Sequence, residues 1–448
     1  MEDQIAFYLP LLMFGTLLPL LMLGFPVAFT LGAVGLLFGL IGAGMELLSW
    51  SDFNFLPLRI WGIATNFTLL AVPLFVFMGV MLERSGLAED LLETTGLVFG
   101  KIRGGLAMSV VVVGMLLAAS TGIVGATVVT MGILALPTML RRGYSPEVAT
   151  GTIAASGTLG QIIPPSIILV LLGDIMDVPI GSMFVGAVIP GLVLVAFYLL
   201  WIGGVAWLRP DLAPAIPAEE RDSVSSSELR QRVFRALLPP LLLIVLVLGS
   251  IFGGVASPTE AAAMGSFGAI ILTLTSGKFT VQILREVMLS ALTITCMVFV
   301  ILVGATFFGL VFRLLGGDEI VSDIIKSIPY GQNGVLIVVM ALFFVLGFVL
   351  DFIEITFIIV PIMKPIVKEL AIDPLWFSIL IAINLQTSFL TPPFGFSLFY
   401  LKGVVPPNVT TMHIYRGVAP FVVIQIIGLI VAFIFPETVT WLPKAIGW

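Results

Sequence analysis

The chain has 448 residues, of which 59% are hydrophobic and 10% are charged, and its formal net charge is −6. Soluble domains carry about 25% charged residues, so a water-soluble surface is excluded and most of the exterior must face lipid. The single cysteine and the single histidine exclude an internal disulfide and a metal site built from several residues of either type.

Segments of about 20 apolar residues, long enough to span a bilayer, recur along the chain. Clear candidates lie at 5–24, 26–48, 61–82, 178–207, 236–256, 258–276, 287–315 and 416–437. Further apolar stretches, interrupted by helix breakers, lie at 104–140, 146–172, 335–366 and 374–401. We expect 11 to 12 spans plus re-entrant pieces. The first helix should be retained, because the Met-Glu-Asp-Gln start lacks the basic segment of a cleaved signal peptide.

A long polar stretch, 209–235, separates two apolar halves. It is rich in Pro, Ser and Glu, which is typical of a solvated linker. Arg230, Arg232 and Arg235 crowd its end, and the positive-inside rule therefore places it in the cytoplasm. We predict a first membrane repeat at 1–208, a cytoplasmic linker at 209–235 and a second membrane repeat at 236–448.

The two halves match at a fixed offset of 228 residues. The aligned pairs are Pro137 with Pro365, Pro146 with Pro374, Ala154 with Ala382, and Pro164-Pro165 with Pro392-Pro393. Four prolines aligned without a gap are improbable by chance in a chain with 28 prolines. Paired halves with helix breakers in corresponding positions point to the binding site of a secondary transporter.

Each half contains the same three parts in the same order. They are an apolar stretch broken in its middle (120–127 and 351–356), a turn marked by proline (141–146 and 372–374), and a second broken stretch (156–166 and 384–395). Two adjacent prolines stop a helix, and the freed backbone groups are tolerated at membrane depth only where they are buried or line a wet cavity. Helix N-termini at such breaks attract anions, whereas carbonyls, hydroxyls and amides bind hard cations such as Na⁺. The alternative is that Gly and Ser pack helices together and Pro only kinks them.

Ionisable residues within apolar surroundings are further candidates. Asp351 and Glu354, at i and i+3, share one helix face if that piece is helical. They could pair with a cation, bind Na⁺ or carry a proton, or they could lie at a membrane surface near a hairpin tip. Asp174 and Asp177 are predicted to lie in a loop, and Glu260 in the first turn of a helix.

Enzymatic functions find little support in the chain. It lacks the Gly-x-x-x-x-Gly-Lys-Ser/Thr loop of an ATP-driven pump. An intramembrane aspartyl protease needs two facing aspartates, and the repeat places Asp174 on Lys402 rather than on Asp351. We therefore expect no enzyme. A channel, whose pore would also use broken helices, stays as the alternative to a transporter.

Five stretches together resemble the large membrane subunit of tripartite ATP-independent periplasmic (TRAP) transporters over almost the full length. They are GFPVAF at 24–29, VPLFVFMG at 72–79, SGTLGQIIPPS at 156–166, PTEAAA at 258–263 and LTPPFG at 390–395. The branch described for mannitol or chloroaromatic compounds, with relatives that handle 2-oxo acids, is the most similar. That likeness lies in TGIVGAT at 121–127, LDFIEIT at 350–356 and NLQTSFLTPP at 384–393.

The resemblance implies an all-α polytopic membrane protein with two inverted repeats, re-entrant helical hairpins, and an elevator-type scaffold plus transport domain. It implies Na⁺-coupled symport of a small organic acid in the bacterial inner membrane, with no other cofactor. The expected partners are a small membrane subunit, a periplasmic substrate-binding protein and the lipid bilayer, with no nucleic acid. The alternative is an organic anion uniporter or channel that works without a binding protein. The family's first hairpin tip commonly reads Ser-Gly-Ser, whereas this chain has Ser120-Thr121-Gly122.

Residues at the breaks form the predicted ion and substrate sites, and the Na⁺ ligands are expected among them. They are Ser120, Thr121, Gly122, Gly125, Thr127, Ser156, Gly157, Thr158, Gly160, Gln161, Pro164, Pro165, Asp351, Glu354, Thr356, Asn384, Gln386, Thr387, Ser388, Thr391, Pro392, Pro393 and Gly395.

Overall fold

The computed structural model describes residues 2–122, 124–217 and 225–448, without the side chains of residues 2–7, Ser120, Thr121 and Ser226. All regular secondary structure in these ranges is helical. The first-half helices are α1 Glu2–Met22, α2 Val27–Gly44, α3 Phe55–Ala64, α4 Ala71–Arg84, α5 Leu87–Phe99, α6 Gly105–Thr121, α7 Val124–Arg141, α8 Pro146–Thr158, α9 Ile167–Met176 and α10 Ile180–Leu208. Helix α11, Ser226–Arg232, lies in the linker.

The second half repeats this order. Its helices are α12 Leu238–Phe252, α13 Pro258–Thr275, α14 Val281–Leu314, α15 Gly317–Lys326, α16 Gly331–Leu346, α17 Phe352–Ile358, α18 Val360–Glu369, α19 Pro374–Leu390, α20 Phe396–Lys402, α21 Thr411–Ile434 and α22 Glu437–Ile446. When the halves are aligned with the offset of 228 residues, helices α12 to α21 correspond in order to helices α1 to α10. In this alignment, α14 corresponds to α3 and α4 together, and α17 and α18 together correspond to α7. The repeat predicted from the prolines therefore extends over nearly all helices of the two halves.

Equivalent helices run in opposite directions, as the pair α8 and α19 shows. Helix α8 is parallel to α21, because Thr150 near its start lies 3.5 Å from the His413 carbonyl and Thr158 at its end accepts a 3.2 Å bond from Gln425. Helix α19 is antiparallel to α21, because Trp376 near its start donates to the carbonyl of Ala432, close to the end of α21. The two halves are therefore inverted copies, as the family resemblance implied.

The proline-marked turns are helix starts. Ser145 caps α8 by accepting a hydrogen bond from the Val148 N–H, and Asp373, its equivalent, caps α19. Each cap is followed by a proline at the first helical position, where the missing N–H costs nothing. Glu260 also lies in a first turn as predicted, forming a reciprocal capping box with Ser257 at the start of α13.

Three boundary predictions are wrong. The predicted span 61–82 is broken into α3 and α4 with a bend of 51°, because the Asn66 side chain accepts from the Thr68 N–H and so replaces a helical hydrogen bond. Helix α14 begins at Val281 rather than 287, since Thr280 caps it. Asp174 lies in the last turn of α9 rather than in a loop, while Asp177 ends that helix with a left-handed backbone.

Fewer helices reach full spanning length than the 11 to 12 expected. Among the described residues, six are long and apolar enough to cross a bilayer, and two bent pairs raise the number to eight. The difference arises partly because α6, α9 and α19 are only 10 to 17 residues long. Short helices of this kind are typical of hairpins and broken spans that enter the membrane without crossing it.

The first part of the predicted linker packs on the first half. Backbone N–H groups of Gly104 and Ser145 donate to the carbonyls of Ala213 and Leu212, and Ile216 donates to Gly100. Farther along, Arg232 of α11 forms an ion pair of 2.9 Å with Glu93 of α5. Residues 218–224, which include Glu219, Glu220 and Ser223, lie outside the described residues. The division into 1–208, 209–235 and 236–448 stays a prediction.

Candidate functional site

Two junctions of broken helices form the candidate site. In the first half, α6 and α7 make a hairpin whose tip is Gly122, and the break between α8 and α9 lies against it. A Cβ atom built on Gly122 would lie 3.2 Å from the Ile167 N at the start of α9, and one built on Gly160 would lie 2.8 Å from the Ala118 carbonyl oxygen. The tip and the break thus touch through backbone, which requires glycine at both positions.

The second junction has the same construction. The hairpin tip between α16 and α17 lies against the break between α19 and α20, where a Cβ atom built on Gly347 would overlap the Ser388 hydroxyl. Phe389, before the break, packs its ring 5.1 Å from that of Phe396, which follows the break. The Ser397 hydroxyl donates to the Phe389 carbonyl, one of the acceptors that the broken helix leaves free.

Each junction brings together two helix C-termini and two helix N-termini. Helices α6 and α8 end where α7 and α9 begin, and α16 and α19 end where α17 and α20 begin. Exposed carbonyls carry partial negative charge and exposed N–H groups carry partial positive charge. Such a junction can hold a cation on its carbonyl side and an anion on its amide side without any fixed charge.

The hydroxyl groups at the breaks use their protons within their own helices. Ser156 donates to the Ile153 carbonyl at 3.0 Å, and Thr158 donates to Ala155 at 2.8 Å. Thr387, Ser388 and Thr391 do the same in the second half. Apart from Thr158, whose oxygen also accepts from two buried amides, these hydroxyls can meet a further partner only with oxygen lone pairs, as binding a cation requires.

The two junctions differ in fixed charge. Residues 114–128 and 152–170 contain no ionisable side chain, whereas the second tip carries Asp351 and Glu354. Asp351 is the N-cap of α17 and Glu354 lies three residues later, so the two acids form a reciprocal capping box at the start of that helix. The Asp351 carboxylate accepts from the Phe352 N–H, and Glu354 accepts from the Asp351 N–H. Both carboxylates therefore cap a helix N-terminus within the candidate site.

The two double-proline breaks also differ in access. The peptide bonds Pro164–Pro165 and Pro392–Pro393 are both cis. Pro164 and Pro165 are buried, whereas Pro393 is exposed and Phe394 is 55% exposed. Because these prolines are equivalent by the repeat, one break is closed within the chain while its inverted copy is open.

Several predicted residues meet at the contact between the halves. Thr158 accepts hydrogen bonds from the amides of Gln386, at 3.5 Å, and Gln425, at 3.2 Å, and Gln425 also donates to the Tyr198 hydroxyl at 2.7 Å. Thr158 and Gln386 are 228 residues apart, so each is the repeat equivalent of the other. Within the described part of the chain, the side-chain oxygens of Gln386 and Gln425 and both polar atoms of buried Gln161 have no hydrogen-bond partner.

Other predicted residues have structural contacts. Asn384 donates to the Met340 carbonyl at 2.6 Å, which ties α19 to α16, and Thr356 donates to the Phe352 carbonyl. Buried Gly157 packs on Val128, next to Thr127, and Gly395 lies against the Phe389 carbonyl. The side chains of Ser120 and Thr121 lie outside the described residues.

Sequence reasoning missed Tyr198, Gln425 and Tyr400. Tyr198 and Gln425 are fully buried polar residues in the long apolar helices α10 and α21. A polar residue alone in such a helix is a detectable signal. Tyr400 gave no signal, because its position above Gly125 follows only from the packing of α20 on α7.

A family model described as tripartite ATP-independent periplasmic transporter, DctM component, matches residues 14–438. The C4-dicarboxylate TRAP transporter large permease protein DctM of Pseudomonas aeruginosa is 30% identical over 414 residues, covering 91% of this chain and 94% of that protein. The sialic acid TRAP transporter large permease protein SiaM of Vibrio cholerae is 29% identical, covering 95% and 96%. The ectoine TRAP transporter large permease protein TeaC of Halomonas elongata is 27% identical, covering 96% and 98%.

A solved structure has the same fold. It is described as the Alcanivorax borkumensis YdaH transporter with an unusual topology. Its TM-score is 0.63 at 14% sequence identity, and the match covers 97% of this chain and 98% of that chain. The names of these relatives give chemically different substrates, so they do not identify the substrate of this chain.

Proposed function

This chain belongs to the DctM component family of tripartite ATP-independent periplasmic transporters, which makes it the large permease of a binding-protein-dependent secondary transporter, and we propose that it couples Na⁺ entry to the uptake of a small organic acid. The substrate class that we propose is a 2-oxo acid or another small carboxylate. The chain would work in the bacterial inner membrane with a small membrane subunit and a periplasmic binding protein.

The observation that carries this proposal is the pair of inverted junctions, each with converging helix ends and hydroxyl oxygens. Na⁺ would bind on the carbonyl side of each junction, and the substrate carboxylate would lie on the amide side, between the tips. Gln161, whose buried amide has no partner among the described residues, would add a ligand at the first break. At the second tip, Asp351 would supply the fixed negative charge that a cation site favours.

An elevator movement would carry both junctions across the membrane. The open second break and the closed first break are what a transporter shows when its site faces one side only. The basic residues that share a face with the start of the linker indicate which side is cytoplasmic. They include Lys101 and Arg103 beside the Gly100 and Gly104 contacts, and Arg141 and Arg142 beside Ser145.

The direct test is uptake by proteoliposomes that contain this chain and its small membrane partner. An inward Na⁺ gradient is imposed, and uptake of labelled pyruvate and other 2-oxo acids is measured with and without the binding protein. We expect uptake only when Na⁺ and the binding protein are both present. Uptake by this chain alone, independent of Na⁺, would instead identify a uniporter or channel.

The hydroxyls at the breaks give a first mutational prediction. Ser156→Ala and Thr391→Ala each remove one candidate oxygen ligand, so each should raise the Na⁺ concentration for half-maximal uptake about tenfold, equivalent to ~1.4 kcal/mol. Ser109→Ala is the matched control, because that buried hydroxyl also donates to its own helix but lies away from both breaks. Unchanged Na⁺ titrations for both break variants would exclude these oxygens as ligands.

Asp351 gives a second prediction. Asp351→Asn keeps a side-chain oxygen for the Phe352 N–H but removes the charge, so the helix cap survives while cation binding weakens. We expect a weaker Na⁺ dependence with little loss of thermal stability. Asp373→Asn, which changes the cap of α19 at the far end of that helix, is the control and should leave the Na⁺ titration unaltered. An Asp351→Asn protein with the wild-type titration would show that Asp351 only caps its helix.

A further inference from the structure

A cleft of about 720 Å³ lies beside the first hairpin and is bounded by α4, α5, α7 and α20. On the hairpin side it begins at Gly125, directly after the first tip, and continues along α7 past Val129 and Ile133. Its other wall comes from the end of α4 and the start of α5. The cleft thus lies along the first hairpin, beginning just after its tip.

Tyr400 closes the inner end of this cleft. A Cβ atom built on Gly125 would lie 3.0 Å from two atoms of the Tyr400 ring, so the ring lies directly over the hairpin backbone. Helix α20 and the residues just after it continue along α7, where Leu401 of the helix and Val404 beyond its end pack on Gly132. Tyr400 is also near enough to Asp351 of the second tip for an electrostatic interaction. Tyr400 therefore borders both the first hairpin and the cleft, and 41% of the residue is exposed.

The lining of the cleft combines an apolar middle with few charges. Glu83, Arg84 and Glu89 are its ionisable residues, which gives a formal charge of −1. Glu83 accepts a 2.6 Å hydrogen bond from Thr130, and Arg84 is 3.9 Å from Glu286. Arg84 can attract one carboxylate, whereas a second carboxylate on the same molecule would face the two glutamates. Repulsion between like charges discriminates against the wrong ligand.

We propose that this cleft is the route by which substrate reaches the site, that it selects a monocarboxylate with an apolar or aromatic tail, and that Tyr400 contacts that tail. The inference rests on the proposed transport function and specifies its substrate class. An aromatic ring at the inner end offers a large apolar surface for stacking, and its hydroxyl can meet a polar group beside it.

The single cysteine of the chain allows a direct test. In a Cys296→Ser background, Tyr400→Cys and the control Phe399→Cys introduce one thiol each. Phe399 is on the same helix and is 57% exposed, but it does not line the cleft. The rate of maleimide labelling is measured on the purified chain in Na⁺ with phenylpyruvate, pyruvate or succinate added.

Phenylpyruvate should slow maleimide labelling at position 400 about tenfold, and pyruvate should slow it less. Succinate should slow it by less than about twofold, and labelling at position 399 should stay constant with all three acids. Equal protection by succinate would overturn the selectivity. Equal effects at 399 and 400, or no protection at 400 by either monocarboxylate, would overturn the assignment of the cleft. Uptake that depends on Na⁺ and the binding protein, measured on the unmodified chain, reports separately whether the transport function holds.

The uptake kinetics of two further variants distinguish a lost contact with the substrate tail from misfolding of the chain. Tyr400→Phe keeps the ring over Gly125 and should keep the KM for an aromatic-tail acid. Tyr400→Leu removes the ring and should raise that KM about tenfold at an unchanged maximal rate, with a smaller effect on pyruvate. A purely structural role would lower the maximal rate for all acids alike, and that result would contradict the proposal.

Discussion

Thr158 is a single residue that connects several helices at the contact between the two halves. Its hydroxyl oxygen is the acceptor for two buried amides that come from α19 and α21, while its proton goes to the carbonyl of Ala155. All of these groups are inaccessible to water, so the hydrogen bonds cannot be replaced by solvent. The residue thus joins three helices through one oxygen atom.

Replacing Thr158 by Val should therefore be costly. The substitution conserves shape but leaves the Gln386 amide without its acceptor and removes one acceptor of Gln425. We expect a loss of about 1–3 kcal/mol in the free energy of unfolding, measured as a lower midpoint of thermal unfolding in detergent. Thr158→Ser keeps the acceptor and should lose less. Equal midpoints for the Val and Ser variants would show that the amide contacts contribute nothing.

The sequence predicted Thr158 and Gln386 as site residues, but it did not predict Gln425 and Tyr198, which join them in the same buried hydrogen-bond cluster. The aligned prolines and the polar residues around them marked both breaks, and the structure brings these two residues together. Gln425 and Tyr198 lie 39 and 40 residues farther along, in helices without breakers, and nothing in a single sequence says which faces of such helices meet. Long-range pairing of this kind depends on the packing of whole helices.

At the scale of the helix, the backbones of α8 and α21 approach each other closely near the site. A Cβ atom built on Gly151 would overlap the Gly417 carbonyl, and one built on Gly417 would overlap the Glu147 carbonyl. Small residues allow the backbones of membrane helices to approach in this way. The positions of Thr158 and Gln425 farther along the same pair depend on this approach.

Gly151→Ala should force α8 and α21 apart. We expect a loss of about 2–4 kcal/mol in stability, because backbone cannot move aside as a flexible side chain can. Gly204→Ala is the control, since a Cβ atom there would meet nothing within 4 Å and alanine favours the helix. Thermal unfolding of both variants tests the prediction, and a Gly151→Ala protein as stable as the control would contradict the observed helix contact.

Helix boundaries could be predicted from sequence where local chemistry decides them. Ser145-Pro146, Asp373-Pro374 and Ser257-Pro258 all begin helices, because cap and proline act within four residues. The break between α3 and α4 could not be predicted, since Asn66 lies in an apolar run. Its side chain reaches both the Thr68 N–H and, 108 residues away, Asp174. The second of these partners is visible only in the folded chain.

At the scale of the whole molecule, the contact between Asn66 and Asp174 connects two segments that an elevator mechanism would move relative to each other. It joins the α3–α4 break to the end of α9, which follows the first double-proline break, through a hydrogen bond of 2.7 Å. In an elevator, α9 would move with the junctions, while α3 and α4 would stay. The contact should then exist in one end state of the transport cycle and break in the other.

A cross-link at this contact should stop transport. In the Cys296→Ser background, Asn66→Cys with Asp174→Cys places two thiols where the hydrogen bond was. Oxidation should abolish uptake in proteoliposomes, and reduction should restore it, whereas each single-cysteine variant should transport under both conditions. Full activity of the cross-linked protein would exclude relative movement of these two segments.

The inverted arrangement of the halves has an energetic consequence. If the first half takes the local conformation of the second, and the second takes that of the first, the molecule returns to nearly the same shape turned over. Two such end states share one construction, so the backbone arrangement itself does not strongly favour either of them. The protein then supplies a path with little bias of its own, and the concentrations on the two sides decide the sign of net flux. Reversing those concentrations should turn an importer into an exporter.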